Sequence, residues 1–572
     1  MEANCIEHKS QELKNLLARY STQNFLGHLS FLMSCITNGC ASDELNKLSS
    51  PMRQLYYLAG LLTSIKEDGT NKIQPEKEEW VQIVNLLIDI ENAHYQLFIP
   101  ENYERLDYES KRKIKIAMPT FLSYFNLGPL NFEEQIINEI ISVYSKMDDV
   151  INESTGLSTA DFILFYENLD EWCQYNFKSL TQTWENCPTR DNWTEYTNLE
   201  LGVYENTPNE IKEITEERMP MYALVMDPGI KCRFKPLDLA VNGLSAEKVL
   251  LILSLLSIQR DDKDFLYYTS LNPLSNKPII DLQNGLFQVF EEKRVLHAIR
   301  NYLESICKRN EQTTSRLSHH KGNYLEDNIV ELFRKFFGKN AEILKGYYID
   351  GCEQDIMILW KNFIFIIESK AYTNKEPFRD TEKAFKRIKQ NFDRSIGYAH
   401  KQAKRVENKF KEGLPFNLTD KNGNTLKTIS PTDYKDNDFY IIVNQEAFGQ
   451  IQVDLSTFLE IDEEDNYPWA VRFDDLETFI LTLIAKKKKP QYFIDFLIFR
   501  EFLHGHITCM DEGEICGGYL MGALTHEIAE SNDMIVCTPE LASVFDEQYR
   551  KGMGFKNEKY WEEKHDKKTT FW

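Results

Sequence analysis

The chain has 572 residues, of which 42% are hydrophobic, and a formal net charge of −23. This size and composition predict a folded globular protein of two to four domains. So acidic a chain is not expected to bind nucleic acid over its whole surface. If it binds nucleic acid, its positive charge must be concentrated in one region.

The sequence shows neither an export signal nor a membrane span. Its N-terminus, Met-Glu-Ala-Asn-Cys, lacks the basic and then apolar layout of a signal peptide. The longest apolar stretch, around residues 249–258, is far short of the roughly 20 residues that cross a bilayer. Eleven irregularly spaced cysteines are then expected to be reduced thiols. We expect a soluble, cytoplasmic protein with no membrane partner.

The first 315 residues are predicted to form a mostly helical region of one or more domains. Apolar residues recur at helical spacing in several segments, which are residues 79–98, 132–151, 249–258 (after the capping residue Ser245) and 291–309. Asn284-Gly285 between residues 278–283 and 286–290 predicts a β-hairpin inside this region.

Two polar segments suggest domain boundaries. Residues 308–322 are rich in Asn, Thr, Ser and His and predict a linker. The run Lys486–Lys489 before Pro490 marks a second boundary. We therefore divide the chain into residues 1–315, 316–485 and 486–572, the last being a segment of unknown role.

A carboxylate stands on the apolar side of the next predicted helix, residues 324–337. Glu326 shares a helical face with Ile329, Val330 and Phe333, whereas Asp327 falls on the opposite side. A carboxylate on an inward face is costly unless it is paired or binds a metal. The alternative is a position at the rim whose carboxylate reaches water.

The most informative stretch is residues 355–370. Two apolar, β-prone runs flank Lys361-Asn362, which predicts a hairpin with a two-residue turn. That register places Asp355 opposite Glu368, where two carboxylates repel. Lys370 shares the face of Glu368, since side chains two apart on a strand point the same way. A divalent cation between the carboxylates would remove the repulsion, so the hairpin predicts a metal-dependent phosphodiesterase site.

The pattern of Asp355, a short hairpin, and Glu368-Ser369-Lys370 resembles the signature of the PD-(D/E)XK nuclease superfamily. The resemblance covers roughly residues 322–484, and the chain has Gln354 where the family name has Pro. It implies an α/β restriction-endonuclease-like core around a mixed sheet, Mg²⁺ or Mn²⁺ bound by Asp355 and Glu368, and completion of the metal shell by Glu326.

The resemblance also implies catalytic roles. Lys370 would position the attacking water and offset negative charge in the transition state. Several branches of the family place a Gln on the helix after this strand, and Gln402 matches it. Gln402 would orient the lysine or the water.

A basic stretch follows the hairpin. Ten Lys or Arg residues and two acids lie between Lys383 and Lys411. Lys401, Lys404, Arg405 and Lys409 lie off an apolar stripe that runs through this stretch, where they could neutralise phosphates. The alternative is an ordinary solvated helix face.

Further along, the pattern predicts a hairpin around residues 420–424, a buried strand at 439–443 and a helix at 474–484. With the hairpin at residues 355–370, this alternation favours an α/β core with a mixed central sheet. The chain as a whole is therefore predicted to be a multidomain α+β protein.

The C-terminal cysteines and histidines do not predict a zinc site. There is no Cys-x₂-Cys pair, and the spacing of Cys509 and Cys516 is unusual for structural zinc.

The sequence thus predicts a magnesium-dependent endonuclease that acts on DNA. By family analogy, a nuclease with a large extra domain resembles effectors of bacterial anti-phage systems, in which that domain senses a trigger or mediates assembly. An RNA endonuclease and a nuclease-fold interaction protein that no longer cuts stay open, as does assembly into a homo-oligomer or with a partner protein of the same system.

Overall fold

The computed structural model describes residues 2–37, 41–98, 102–123, 132–185, 228–371, 381–434, 437–462 and 465–558. The chain divides by contacts into two compact units. The first combines the described residues of 1–97 and 144–309, and the second combines those of 98–143 and 310–558. The predicted division into residues 1–315, 316–485 and 486–572 stays a prediction.

Helices dominate the N-terminal part of the described chain. Up to residue 309 they are α1 (Glu2–Leu17), α2 (Thr22–Thr37), α3 (Pro51–Leu62), α4 (Lys77–Phe98), α5 (Tyr108–Ser123), α6 (Glu133–Tyr144), α7 (Asp148–Thr155), α8 (Thr159–Glu185), α9 (Ala246–Leu256) and α10 (Lys293–Cys307). The strands of this part are β1 (Arg233–Phe234), β2 (Ser257–Gln259), β3 (Ile279–Asp281) and β4 (Phe287–Val289). They form a sheet of order β1-β4-β3-β2.

Most predicted elements of this region are confirmed. The helices α4 and α10 lie where the periodicity predicted them. The helix α9 is capped as predicted, since the Ser245 hydroxyl accepts a hydrogen bond from the Lys248 amide, but it ends at Leu256, and the last two residues of the predicted helix belong to β2. The strands β3 and β4 form the predicted antiparallel hairpin. The prediction of one helix over residues 132–151 is wrong, because a 3₁₀ turn, Ser145–Met147, separates α6 from α7.

The remaining helices are α11 (Glu311–Phe337), α12 (Thr381–Arg394), α13 (Ile396–Glu412), α14 (Gln450–Val453), α15 (Phe473–Ala485), α16 (Pro490–Glu501), α17 (Glu512–Met521), α18 (His526–Ser531) and α19 (Ser543–Arg550). The strands are β5 (Ala341–Ile349), β6 (Cys352–Trp360), β7 (Phe363–Lys370), β8 (Phe416–Thr419), β9 (Thr425–Ile429), β10 (Asp438–Asn444), β11 (Trp469–Arg472), β12 (Ile507–Thr508) and β13 (Ile535–Val536).

The second unit is built on a seven-stranded sheet of order β11-β10-β7-β6-β5-β8-β9. The strands β7, β10 and β11 run parallel to one another, whereas the pairs β6–β7, β5–β6, β5–β8 and β8–β9 are antiparallel. The sheet is therefore mixed. This confirms the predicted fold class, a mostly helical N-terminal region followed by an α/β core around a mixed sheet.

The two faces of this sheet are covered by different helices because side chains alternate along each strand. One face packs Phe365 and Ile367 of β7 against Ile329 and Phe333 of α11. On the other face, Ile364 and Ile366 share a core with residues of α13, Ala403 and Val406.

The predicted linker at residues 308–322 is wrong for most of its length, since α11 begins at Glu311. The Asn310 side chain starts the helix by accepting a hydrogen bond of 2.9 Å from the Thr313 amide. The polar composition that suggested a linker reflects the solvent-facing first part of α11, because between Glu311 and Gly322 only Leu317 and Lys321 are buried.

The basic run Lys486–Lys489 is exposed and joins α15 to α16. Helices on both sides of it contribute to one hydrophobic core, in which the rings of Phe479 and Phe493 lie 6.4 Å apart. In the described part of the chain, no helix has the length and apolarity needed to span a bilayer.

Candidate functional site

The hairpin of β6 and β7 has the predicted register. Lys361, in the turn, has a φ of 55°, which fits the left-handed conformation of tight hairpin turns. Trp360 lies opposite Phe363, and the pairing continues to Ile356 opposite Ile367. The main-chain pairing stops there, one pair before Asp355 and Glu368.

Beyond this point β7 continues alongside β10, with Glu368 opposite Ile442. Here the Asp355 side chain, and not the main chain of β6, forms hydrogen bonds with β7. Its carboxylate Oδ2 accepts hydrogen bonds from the Ser369 main-chain N–H at 2.7 Å and from the Ser369 hydroxyl at 3.1 Å. These two hydrogen bonds hold the Asp355 carboxylate against β7, the strand that carries Glu368.

Lys370 lies between the two carboxylates. Its Nζ is 3.4 Å from Asp355 Oδ2 and 3.4 Å from Glu368 Oε2, and it donates a hydrogen bond of 2.9 Å to the Ser369 carbonyl. The structure therefore brings Asp355, Glu368 and Lys370 together on one side of the sheet, as the hairpin register predicted.

Glu368 is an unusual carboxyl group. It is fully buried, and its Oε1 has no hydrogen-bond partner among the described residues. Burial raises its pKa to about 8, and the neighbouring Asp355 carboxylate acts in the same direction, against the lowering effect of Lys370. The ionised form of this buried carboxyl group is costly unless a positive charge accompanies it.

Glu326 of α11 lies close enough to Asp355 for the two carboxyl groups to interact. Burial raises its pKa, and repulsion from Asp355 adds to the shift. Its Oε2 is 3.3 Å from the ammonium of Lys345, which also contacts the exposed Asp327 at 2.5 Å. The predicted contrast between an inward Glu326 and an outward Asp327 is confirmed.

This donor set fits a divalent cation. Carboxylate oxygens are the ligands that Mg²⁺ prefers, and Glu368 Oε1 is a buried acceptor that no described residue satisfies. Among the described residues, the carboxylate oxygens of Glu326, Asp355 and Glu368 do not all lie within 4.8 Å of one another. Asp355 and Glu368 would therefore hold the ion, with Glu326 reaching it through water or after a side-chain movement.

Gln402 lies on α13, the helix that covers this side of the sheet. It is buried, and its Oε1 accepts no hydrogen bond from the residues that the structure describes. Its neighbour Ala403 packs in the same core as Ile366 of β7. This placement is compatible with the role implied for Gln402, which stays a prediction.

The four basic residues predicted to contact nucleic acid are not equivalent. Lys404 pairs with Asp465 and with Glu407, the latter at 3.5 Å. Lys409 lies 3.0 Å from Asp350 and 3.3 Å from Glu412. In contrast, Lys401 and Arg405 are exposed, and neither forms an ion pair within the described ranges. These two are the cations of the set that are available to a substrate.

Tyr347 of β5 is a site residue that the sequence analysis missed. Its hydroxyl is buried without a hydrogen-bond partner in the described part of the chain. Burial raises its pKa well above the ordinary value, and Glu368 and Asp355 contribute in that order. The signal was available in principle, because Tyr347 lies opposite Gln354, the residue before Asp355, but it required the register of a third strand.

Residues 321–429 match the family model of the nuclease-related domain. The chain carries a nuclease-like domain. The matched residues include Glu326, Asp355, Glu368, Lys370, Gln402 and the four basic residues, whereas β10 and β11 of the same sheet lie beyond them. No curated protein and no solved structure matches the chain.

Proposed function

We propose that this protein is a metal-dependent endonuclease that hydrolyses phosphodiester bonds of DNA. The observation that carries the proposal is the cluster of Asp355, Glu368 and Lys370, in which one ammonium group lies 3.4 Å from each of two carboxylates within a nuclease-related domain. Membership of the PD-(D/E)XK superfamily is part of the proposal.

Asp355 and Glu368 would hold Mg²⁺ or Mn²⁺, with Glu326 as an outer ligand. A bound cation would supply Lewis-acid chemistry, neutralising charge on the phosphate and lowering the pKa of a water. Asp355 is oriented for this task by the Ser369 amide. Glu368 must lose its proton, which metal binding favours because the ligands are required as anions.

With a cation held by the carboxylates, Lys370 would be available to the substrate. Its ammonium group can then donate to the attacking water and stabilise negative charge that develops on the phosphate. Tyr347 and Gln402 bring further buried polar atoms to this side of the sheet. Lys401 and Arg405 would bind flanking phosphates.

The experiment is cleavage of covalently closed circular duplex DNA, and of a matched circular RNA, by the purified full-length chain with Mg²⁺, with Mn²⁺ or with EDTA. Circles exclude attack from ends, so the expected result is metal-dependent nicking or linearisation of DNA. Cleavage of the RNA circle alone would favour the RNA endonuclease. Binding of either circle without cleavage in any metal would favour a non-cleaving nuclease-fold protein and overturn the proposal.

A role in anti-phage defence, with the N-terminal region acting in sensing or assembly, rests on the family resemblance. It is tested by phage infection of bacterial cells that express the wild-type chain or Lys370→Ala. Equal phage yields from the two strains and from cells without the protein would contradict this role.

A further inference from the structure

A second group of potential metal ligands lies in the first compact unit, which does not contain the nuclease-like domain. It consists of Cys173 on α8, Cys232 at the end of the 3₁₀ turn Pro228–Cys232, and Glu292 directly before α10. The two sulfur atoms and a carboxylate oxygen all lie within 4.8 Å of one another. The sequence gives no hint of this group, because each member is about 60 residues from the next.

Both thiols are inside the protein. Cys173 is 4% exposed and Cys232 is 2% exposed, and both are free cysteines in the structure. The Cys232 thiol donates a hydrogen bond of 2.9 Å to Glu292 Oε1. This arrangement keeps the ligand atoms turned towards one point.

The ligand types indicate which metal would bind. Soft thiolates select zinc over magnesium and calcium, and zinc accepts carboxylate oxygen as a further ligand. A tetrahedral zinc ion with bonds of about 2.0–2.3 Å holds its ligand atoms roughly 3.3–3.8 Å apart. All three atoms lie within 4.8 Å of one another, so each pair would have to approach by at most about 1.5 Å to match that geometry.

Charge balance also fits zinc. Two thiolates and one carboxylate carry three negative charges, which a divalent ion would reduce to one. The Lys231 ammonium supplies the remaining positive charge, since its strongest electrostatic interactions are with Cys232 and Glu292. The loaded site would be neutral, which matters because an unbalanced charge inside a protein is costly.

We propose that Cys173, Cys232 and Glu292 form a zinc-binding site with water as the fourth ligand. The ion would cross-link α8, the turn before β1 and the start of α10. Its binding energy would add to the stability of this unit, because the unfolded chain does not hold the three residues together. This inference is independent of the proposed nuclease activity.

The test uses the full-length chain carrying Asp355→Ala and Glu368→Ala, so that metal at the nuclease-like cluster is not counted. We expect about one zinc per chain by mass spectrometry of the metal after dialysis of reduced protein, and loss of that zinc in Cys173→Ser and in Cys232→Ser. Cys307→Ser is the matched control, because Cys307 is fully buried in the same unit but outside the group. It should keep its zinc.

Cobalt gives a readout that does not depend on the stability of the variants. Titration of Co²⁺ into the same protein should produce the near-ultraviolet charge-transfer absorption of thiolate ligands, with the intensity expected of two sulfur atoms. Glu292→Gln should weaken the affinity by at least the roughly tenfold that loss of an outer-shell partner costs. Three results would overturn the proposal: no thiolate band, zinc retained by a Cys173→Ser, Cys232→Ser double variant, or a Cys173–Cys232 disulfide whose reduced form binds no zinc.

Discussion

The carboxylate of Asp355 accepts a hydrogen bond of 2.7 Å from the main-chain amide of Ser369. This bond joins β6 to β7 at the level where their main-chain pairing has ended. The side chain that is proposed to bind the metal is thus oriented by the backbone of the strand that carries its partner, Glu368.

Substitution of Asp355 by Asn separates this structural role from the chemical role. Asn keeps an oxygen for the Ser369 amide but loses the charge, so we expect folding to be retained and cleavage to fall by more than about 100-fold. In metal-free buffer at pH 9, where Glu368 with its pKa of about 8 is ionised, thermal unfolding should occur at no lower temperature than in the wild type, since repulsion from Glu368 is relieved. Cleavage at the wild-type rate by purified Asp355→Asn protein would remove Asp355 from the site.

The adjacent acids Glu326 and Asp327 provide a matched pair. Both contact Lys345, but Glu326 is half-buried and its pKa is raised by burial and then by Asp355, whereas the Asp327 side chain is exposed to solvent. We expect Glu326→Gln to raise the Mg²⁺ concentration needed for half-maximal cleavage by roughly 10–100-fold. Asp327→Asn should leave it unchanged. Equal metal dependence of the two variants would show that Glu326 takes no part in binding the ion.

The buried carboxyl of Glu368 should make stability depend on pH in the absence of metal. Its pKa is raised to about 8 in the folded chain, so between the ordinary value near 4.5 and 8 the folded state holds a proton that the unfolded state has lost. Stability should therefore fall as the pH rises through this window, by at most about 1.4 kcal/mol per pH unit from this group.

Glu368→Gln removes that titration. Chemical denaturation at pH 5 and at pH 8 should give a smaller difference for the variant than for the wild type, with the variant the more stable protein at pH 8. Adding Mg²⁺ should stabilise the wild type at pH 8 and not the variant. An identical pH dependence of the two proteins would contradict the burial of this charge.

The exposed cations of α13 should contribute to substrate binding. Reversal of charge by Lys401→Glu with Arg405→Glu should weaken DNA binding and reduce the slope of log affinity against log salt by about 0.9 for each phosphate that is no longer neutralised. Lys486→Glu with Lys489→Glu makes the same charge change in the exposed turn before α16 and serves as the control. If both double variants bind DNA with the same reduced affinity, the effect is one of net charge and α13 is a solvated face.

The sequence predicted the local geometry of this site because the geometry follows from short-range rules. A two-residue turn at Lys361-Asn362 determines which residues lie opposite, and alternation along the strand then assigns Lys370 to the face of Glu368. Helical spacing likewise separated Glu326 from Asp327. None of these inferences required knowledge of distant parts of the chain.

Features that depend on long-range contacts escaped prediction. The partner of Lys404, Asp465, is 61 residues away, and the hydroxyl of Tyr347 reaches the site from a third strand. The helical start of α11 was also missed, because a polar, solvent-facing helix has the composition of a linker. Cys173 and Cys232 have no spacing that marks them as a pair, and folding alone brings them together.

The most direct test of the central claim compares cleavage of a duplex DNA circle in Mg²⁺ by the wild type, Asp355→Ala, Lys370→Ala and the double variant, each checked for folding by circular dichroism. The residues are proposed to work as one unit, so each single variant should lose nearly all activity and the double variant should be hardly worse than either. Substantial cleavage by either single variant, or losses that multiply in the double variant, would contradict a catalytic site at the end of the β6–β7 hairpin.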